Sequence, residues 1–150
     1  MTATATSPLV LIVDDEPGIR ELERRILERG SYRVLEASGA AEAFALFADG
    51  LVPDLLIADL DLPEMPGEQM VPRIREARPG LKVLYVSASF DRLLNSRISL
   101  GDGEAFVDKP FTPRGLLEGV SLLLYDRLSP PLRLPDVLQP RVGLFGKGTR

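Results

Sequence analysis

Short apolar runs alternate with amphipathic helical patterns along this chain, and that alternation limits its possible folds more than any other feature. The apolar runs are Leu9–Val13, Leu55–Ala58, Val83–Val86 and Ala105–Val107, and Tyr32–Ala37, which includes two charged residues, can form a further strand. Runs of this length are typical of strands covered on both faces. Strands that alternate with helices favour right-handed crossovers, so the sequence predicts a doubly wound, five-stranded parallel sheet.

The segments between these runs carry apolar residues at helical spacing. The predicted apolar faces are Ile19, Leu22, Ile26 and Leu27, then Ala41, Phe44 and Phe47, then Met70, Val71, Ile74 and Ala77 within Glu68–Arg78, and finally Leu116, Leu117, Val120 and Leu124. Pro17 and Gly30 bound the first helix, and Ser38 is expected to cap the second. Thr112 and Pro113 form a cap and first-turn pair that opens the last helix.

Charged and hydroxyl side chains follow four of the predicted strands at the same end. Asp14 and Asp15 follow the first strand and Asp59 the third, while Ser87 and Lys109 follow the fourth and fifth. Singly, each has an ordinary explanation, such as an acid stabilised by a helix dipole. In a flavodoxin-like (βα)5 sheet of order 2-1-3-4-5, however, groups beyond the carboxyl ends converge where the strand order reverses. We therefore expect one shared crevice.

The composition narrows the chemistry of that crevice. The chain contains no histidine and no cysteine, which excludes Ser-His-Asp and Cys-His catalysis, zinc fingers and iron–sulfur clusters supplied by this chain. Carboxylates about 4 Å apart repel by about 4 kcal/mol at an effective dielectric near 20, so a cluster of them favours a hard cation such as Mg²⁺. A carboxylate is also a competent nucleophile toward phosphorus. The residues predict a phosphoryl-accepting aspartate.

These residues together resemble bacterial response-regulator receiver domains, over roughly residues 8–125. The matching motifs are Asp14-Asp15, the run from Leu55 through Asp59 to Gly67, Val86-Ser87-Ala88 and Lys109-Pro110-Phe111. The run from Asp59 to Gly67 carries most of the likeness. The stretch from Phe106 to Pro113 is particularly similar to receivers attached to, or partnered with, hybrid histidine kinases.

The resemblance implies a role for each acid. Asp59 matches the phosphoacceptor of the family. Asp15 matches the direct Mg²⁺ ligand, and Asp14 the ligand that acts largely through water. The backbone carbonyl of Asp61 would complete the protein ligands of the metal.

The resemblance also implies roles at the ends of the last two strands. Ser87 matches the hydroxyl residue that contacts the phosphoryl group and reorients on activation. Lys109 matches the lysine that pairs with a phosphoryl oxygen, and the Lys109-Pro110 bond would be cis. Phe106 stands where the family places its aromatic switch residue, here without a tyrosine hydroxyl.

Three departures from the family pattern bear on function. Serine replaces the commoner threonine at position 87, which keeps the hydroxyl but loses the methyl group. Asp61 places an acid two residues beyond the acceptor, and we expect it to alter the lifetime of the phosphoryl group. Asp102-Gly103 replaces the usual Gly-Ala, and the predicted helix Asp91–Leu100 before it is poorly patterned, so the face formed by the fourth helix, fifth strand and fifth helix departs from the usual output surface.

The leading interpretation is a stand-alone receiver that takes a phosphoryl group on Asp59, with Mg²⁺, from a histidine kinase or a histidine phosphotransfer protein. It would signal through a downstream protein effector or a phosphorelay, with no enzymatic activity beyond self-phosphorylation from small donors and autodephosphorylation. One alternative is a receiver-fold binding module that never uses phosphate. Another is a haloacid-dehalogenase-like phosphatase, suggested by Asp59-Leu60-Asp61 but disfavoured because the acid pair lies upstream.

We expect the chain to divide into a disordered lead at 1–8, a receiver domain at 9–125 and a Pro/Gly-rich tail at 126–150 without an output domain. The net charge of −4 and an acidic body argue against nucleic-acid binding. Because no apolar run is long enough for a signal peptide or a membrane span, we expect a cytoplasmic protein. The tail residues proposed to dock on the body or in a homodimer are Leu132, Leu134, Val137 and Leu138.

Overall fold

Six strands form one sheet in the order β2-β1-β3-β4-β5-β6 in the computed structural model, which describes residues 7–89, 91, 100–126 and 142–143. The strands are β1 (Leu9–Val13), β2 (Arg33–Ala37), β3 (Leu55–Asp59), β4 (Lys82–Ser87), β5 (Glu104–Asp108) and β6 (Val142–Gly143). The described helices are α1 (Pro17–Arg29), α2 (Ala40–Ala48), α3 (Gly67–Ala77) and α4 (Pro113–Tyr125). The first five strands are parallel, which confirms the predicted flavodoxin-like order 2-1-3-4-5.

The sheet separates two apolar cores, because successive side chains of a strand point to opposite faces. In β1, Val10 and Ile12 pack with α1 and α4, whereas Leu11 and Val13 pack with α2 and α3. All of β3 is buried. Double coverage explains the unbroken apolar runs of the central strands, and it leaves their carboxyl ends as the place where polar groups collect.

The buried face of α1 differs from the predicted one at a single position. Leu22, predicted to face the core, is 44% exposed, while the adjacent Glu23 is only 1% exposed. Glu23 precedes Ile26 and Leu27 by three and four residues, so it continues their stripe along the helix. The prediction for Leu22 was wrong because the helix phase that buries Ile26 and Leu27 turns position 23, and not position 22, toward the core.

The start of α2 also corrects the sequence prediction. Gly39, not Ser38, is the residue that precedes the helix, and the Ser38 hydroxyl donates a hydrogen bond to Glu42 over 2.9 Å. The buried residues of the helix are Ala40, Ala43 and Phe47, whereas Ala41, predicted to be buried, is exposed. Ser38 does not cap the helix because its hydroxyl is used by the Glu42 side chain.

The last described helix follows its prediction. Thr112 precedes α4, and its side-chain oxygen accepts a hydrogen bond from the Gly115 amide over 2.9 Å. Pro113 occupies the first turn, where a missing amide proton has no consequence. In α3, Pro72 lies within the helix beyond its first turn, where a proline removes one backbone hydrogen bond.

The sixth strand is the part of the sheet that the sequence did not predict. Val142 and Gly143 pair antiparallel with Val107 and Phe106 at the outer edge of β5. Pairing satisfies backbone groups that an edge strand otherwise leaves open, and it makes this piece of the predicted tail a segment docked on the body. The tail leucines and Val137 proposed for docking, and most of the predicted helix Asp91–Leu100, lie outside the described residues.

None of the helices in the described part of the chain is long and apolar enough to cross a membrane.

Candidate functional site

The carboxyl ends of β1 and β3 bring three acids together. These neighbouring strands pair in register, with Val13 opposite Ala58, so Asp14 and Asp59 emerge side by side just beyond that pair. Asp14, Asp15 and Asp59 each offer a carboxylate oxygen within 4.8 Å of the others. Asp14 is 1% exposed and Asp59 is 2% exposed, whereas Asp15 is exposed to solvent. The convergence of these acids that the strand ends predict is therefore present.

Lys109 directly follows β5 and contacts both buried acids. Its Nζ donates to Oδ2 of Asp14 over 3.0 Å and to Oδ2 of Asp59 over 3.3 Å. The Lys109 backbone amide donates to the Ser87 carbonyl over 2.9 Å. This bond extends the β4–β5 pairing by one residue and places Lys109 just beyond the carboxyl end of β5. The Lys109-Pro110 peptide bond is cis, as the family resemblance implies.

Each oxygen of Asp59 has a hydrogen-bond donor. Oδ1 accepts from the Asp61 backbone amide over 3.0 Å, and Oδ2 accepts from Lys109. Burial raises the pKa of Asp59 to about 6, because it disfavours the charged form more than the Asp61 amide and Lys109 favour it. The carboxylate is thus mostly ionised at neutral pH, which is the form that a nucleophile requires.

The neighbouring carboxylates keep Lys109 in its charged form. Burial lowers the pKa of Lys109, but the carboxylates of Asp59 and Asp14 outweigh burial, and the pKa of the ammonium lies above its ordinary value. The three clustered acids and this one cation leave an excess of two negative charges. An all-oxygen donor set with this excess suits a divalent hard cation, so the residues present fit Mg²⁺.

Gly67 holds the loop after β3 close against the end of that strand. A Cβ at this position would lie 2.6 Å from the Asp59 carbonyl oxygen and 3.2 Å from the Asp59 carbonyl carbon. The Gly67 amide also donates to the Leu60 carbonyl over 3.3 Å, and the Leu60 amide donates to Val86 over 3.0 Å. In the sequence, Gly67 is only the last residue of a family motif. The structure explains why a glycine is needed there, because any side chain would collide with the Asp59 backbone.

Ser87 ends β4 and is fully buried. Its Oγ donates to Oδ2 of Asp61 over 3.0 Å and accepts from the Ser89 backbone amide over 3.1 Å. Phe106, the predicted switch residue, is 2% exposed and pairs with Tyr85 in the β4–β5 ladder. The structure thus places every predicted site residue at or beneath the carboxyl edge of the sheet, and the roles assigned to them remain predictions.

Glu23 is the residue near this site that sequence reasoning missed. Its two carboxylate oxygens are buried and have no hydrogen-bond partner among the described residues. Burial, and after it the negative charge of Asp14, raises the pKa of Glu23 to about 8. A glutamate in a stripe with Ile26 and Leu27 was the available signal, since an acid at a core-facing position of a helix is unusual.

Comparisons with known proteins bear on the family and the fold of this chain. The family model of the response regulator receiver domain matches residues 10–121. A curated relative, the uncharacterized transcriptional regulatory protein YbdJ of Bacillus subtilis (strain 168), is 36% identical over 137 residues, which is 91% of this chain and 53% of the relative. The chain therefore spans about half the length of that relative.

Solved structures show the same fold. The chain is similar to a CheY-like response regulator receiver domain protein from Methanospirillum hungatei JF-1, with a TM-score of 0.69 and 29% identity, covering 81% of this chain and 96% of the other. It is also similar to the response regulator protein TrrA from Thermotoga maritima in complex with Mg²⁺-BeF, with a TM-score of 0.67 and 30% identity, covering 78% and 99%.

Proposed function

The chain belongs to the response regulator receiver domain family, and from that premise we propose that Asp59 accepts a phosphoryl group from a phosphohistidine of a partner protein. The observation that carries the proposal is the Lys109 ammonium, which contacts both Asp14 and Asp59 within 3.3 Å beside the acid cluster. A structural ion pair needs one acid, whereas a phosphoryl site needs an acceptor, a cation and further oxygen ligands.

The transfer step follows from the chemistry of these groups. One oxygen of the ionised Asp59 attacks the phosphorus, the new O–P bond forms as the P–N bond to the donor imidazole breaks, and the imidazole departs with the electron pair and takes up a proton from solvent. Lys109 lies next to Asp59 Oδ2 and offers its N–H groups to a phosphoryl oxygen. In phosphoryl transfer, positioning and charge neutralisation of this kind supply most of the catalysis.

Asp14, Asp15, Asp59 and the Asp61 backbone carbonyl are the proposed holders of Mg²⁺. When bound, the ion neutralises charge on the phosphoryl oxygens. The similarity to a receiver solved with Mg²⁺-BeF supports this ligand set, because that ion and a fluoride analogue occupy a domain of the same fold.

The donor and the recipient of the signal are other proteins in this proposal. The 150 residues contain no histidine, so the phosphohistidine belongs to a histidine kinase or a histidine phosphotransfer protein. The acidic body of the domain disfavours direct contact with nucleic acid, so a protein effector is the proposed target. We propose a cytoplasmic location, where such kinases expose their phosphohistidine.

Acetyl phosphate with Mg²⁺, followed by intact mass measurement, tests the phosphoacceptor directly. We expect one adduct of about 80 Da per chain, the mass of one phosphoryl group, which Asp59→Asn abolishes. Asp49→Asn is a matched control, since Asp49 is exposed and follows α2 at the opposite end of the sheet. An adduct that survives Asp59→Asn contradicts the assignment.

The same experiment separates the alternative functions. Absence of an adduct in the unsubstituted protein favours a binding module that does not use phosphate. Continuous release of inorganic phosphate from a monoester, without a stoichiometric intermediate, favours a phosphatase of the haloacid-dehalogenase type.

Removal of Mg²⁺ should lower the stability of the protein. A ligand at ten times its Kd stabilises the native state by about 1.4 kcal/mol, and we expect the denaturation midpoint to rise with Mg²⁺ accordingly. Asp15→Asn should remove most of this rise, and it should raise the metal-free midpoint slightly because it removes one of three clustered negative charges. Urea titrations with Mg²⁺ and with EDTA measure both. A full rise in the Asp15→Asn variant would rule out this ligand.

A further inference from the structure

The hydroxyl of Ser87 is already committed in this structure. Its single proton is donated to Oδ2 of Asp61 at 3.0 Å, while its oxygen accepts the Ser89 amide at 3.1 Å. The Ser89 carbonyl is a more distant acceptor at 3.4 Å. A hydroxyl group donates one hydrogen bond at a time. Ser87 therefore has no proton to offer a second acceptor while it holds Asp61.

Asp61 contacts the phosphoacceptor as well. Its backbone amide donates to Oδ1 of Asp59 over 3.0 Å, so one residue touches Asp59 with its main chain and Ser87 with its side chain. Asp59 and Ser87 end neighbouring strands, with Asp59 opposite Val86 in the register. The Asp61 carboxylate thus lies at the same edge of the sheet as the oxygens of Asp59.

The geometry points to Asp61 as a positioning residue that holds the Ser87 hydroxyl away from Asp59 and opposes its contact with a phosphoryl group there. This inference rests on the proposed function. A phosphoryl group on Asp59 carries a charge of about −1.5 to −2 and three acceptor oxygens. It competes with Asp61 for the one Ser87 proton and is repelled by the Asp61 charge. The phosphorylated state forms fully only when the Ser87–Asp61 hydrogen bond breaks.

Two separable effects follow for a phosphoryl analogue. Removing the Asp61 carboxylate releases Ser87, and it also removes a like charge. The first effect needs Ser87 and the second does not. A double-mutant cycle on these two residues therefore isolates the hydrogen bond from the charge.

The experiment measures the apparent Kd for beryllium fluoride at saturating Mg²⁺, with the Mg²⁺ affinity determined separately for every variant. We expect Asp61→Ala to tighten analogue binding about tenfold, equivalent to about 1.4 kcal/mol. In the Ser87→Ala background, the same substitution should change the Kd by about twofold or less. Asp61→Asn retains an acceptor oxygen without the charge, so its Kd for the analogue should lie between those of the parent and Asp61→Ala.

Glu64→Ala is the matched charge control, because Glu64 is an exposed carboxylate in the same loop, and its analogue Kd should stay within about twofold of the parent. Equal tightening by Asp61→Ala in both backgrounds would show a charge effect alone and overturn the role assigned to the hydrogen bond. No binding of the analogue by the unsubstituted chain would overturn the proposed function together with this inference. If acetyl phosphate gives an Asp59 adduct but the Kd for the analogue does not change when Asp61 is replaced, this inference alone is overturned.

Discussion

Replacement of Glu23 by Leu should stabilise the metal-free protein by about 3 kcal/mol at pH 7. The Glu23 carboxyl has a pKa of about 8 in the folded chain against 4.5 when unperturbed, so folding at neutral pH requires it to take up a proton. Leucine has a similar volume and no such requirement, and it extends the apolar stripe formed by Ile26 and Leu27.

The raised pKa of Glu23 determines how the stability of the parent protein changes with pH. Because the folded pKa lies above the unfolded pKa, the parent protein keeps its full stability at this site below about pH 4.5 and loses it progressively up to about pH 8. The advantage of Glu23→Leu should therefore be smallest near pH 4.5 and largest above pH 8. Urea denaturation at pH 4.5, 7 and 8.5 measures this trend.

Two further variants make the test specific. Glu23→Gln removes the ionisable group at nearly constant shape and should show the same pH trend as Glu23→Leu. Glu21→Gln changes an exposed carboxylate on the same helix, paired with Arg25, and its stability should follow that of the parent across this pH range. Parallel stability curves for the parent and Glu23→Gln would contradict the assignment of Glu23 as a buried neutral acid.

Replacement of Gly67 by Ala should destabilise the protein by about 2–4 kcal/mol and slow phosphorylation of Asp59 at least about tenfold. The new methyl group would meet backbone atoms of Asp59 and Leu60 at 2.6–3.2 Å. Backbone in a central strand has no freedom to move aside, so either the strand end or the α3 start must shift. Asp59, the proposed phosphoacceptor, belongs to that strand end, so the same shift should both destabilise the protein and slow the reaction.

Denaturation midpoints and the rate of adduct formation with acetyl phosphate check both parts of the Gly67 prediction. Gly18→Ala is the matched control, because a Cβ at Gly18 in α1 meets nothing within 4 Å. It should be neutral or stabilising by up to about 1 kcal/mol, since alanine favours the helix. A Gly67→Ala variant as stable as the parent would contradict the close approach of the loop to Asp59.

The parts of the fold that the sequence predicted well are those set by repetition. Apolar runs and helical spacings occur several times, so the parallel order 2-1-3-4-5 does not depend on any single residue. The position of the site is predictable because it follows from the same strand order. Asp14, Asp59, Ser87 and Lys109 each end or directly follow a strand, and topology alone brings such residues to one edge.

The features that could not be predicted depend on single side-chain choices. The phase of α1 buries Glu23 instead of Leu22, although hydrophobicity alone predicts the reverse. The Ser38 hydroxyl bonds Glu42 instead of the helix backbone. The hydrogen bond between Ser87 and Asp61 joins the last residue of β4 to a loop residue after β3, 26 positions earlier in the chain. In each case two arrangements with similar local preferences compete, and tertiary packing decides between them.

Strand direction has a practical consequence for attaching probes to this protein. Because β6 is antiparallel to β5, with Val142 opposite Val107 and Gly143 opposite Phe106, the chain there runs away from the edge that carries Lys109. Ser7 precedes β1, and its carbonyl oxygen accepts a hydrogen bond from Arg33 over 2.8 Å at the amino end of the strands. A label at Ser7 is therefore separated from Asp59 by the length of the sheet, which makes this position suitable for surface immobilisation in binding measurements.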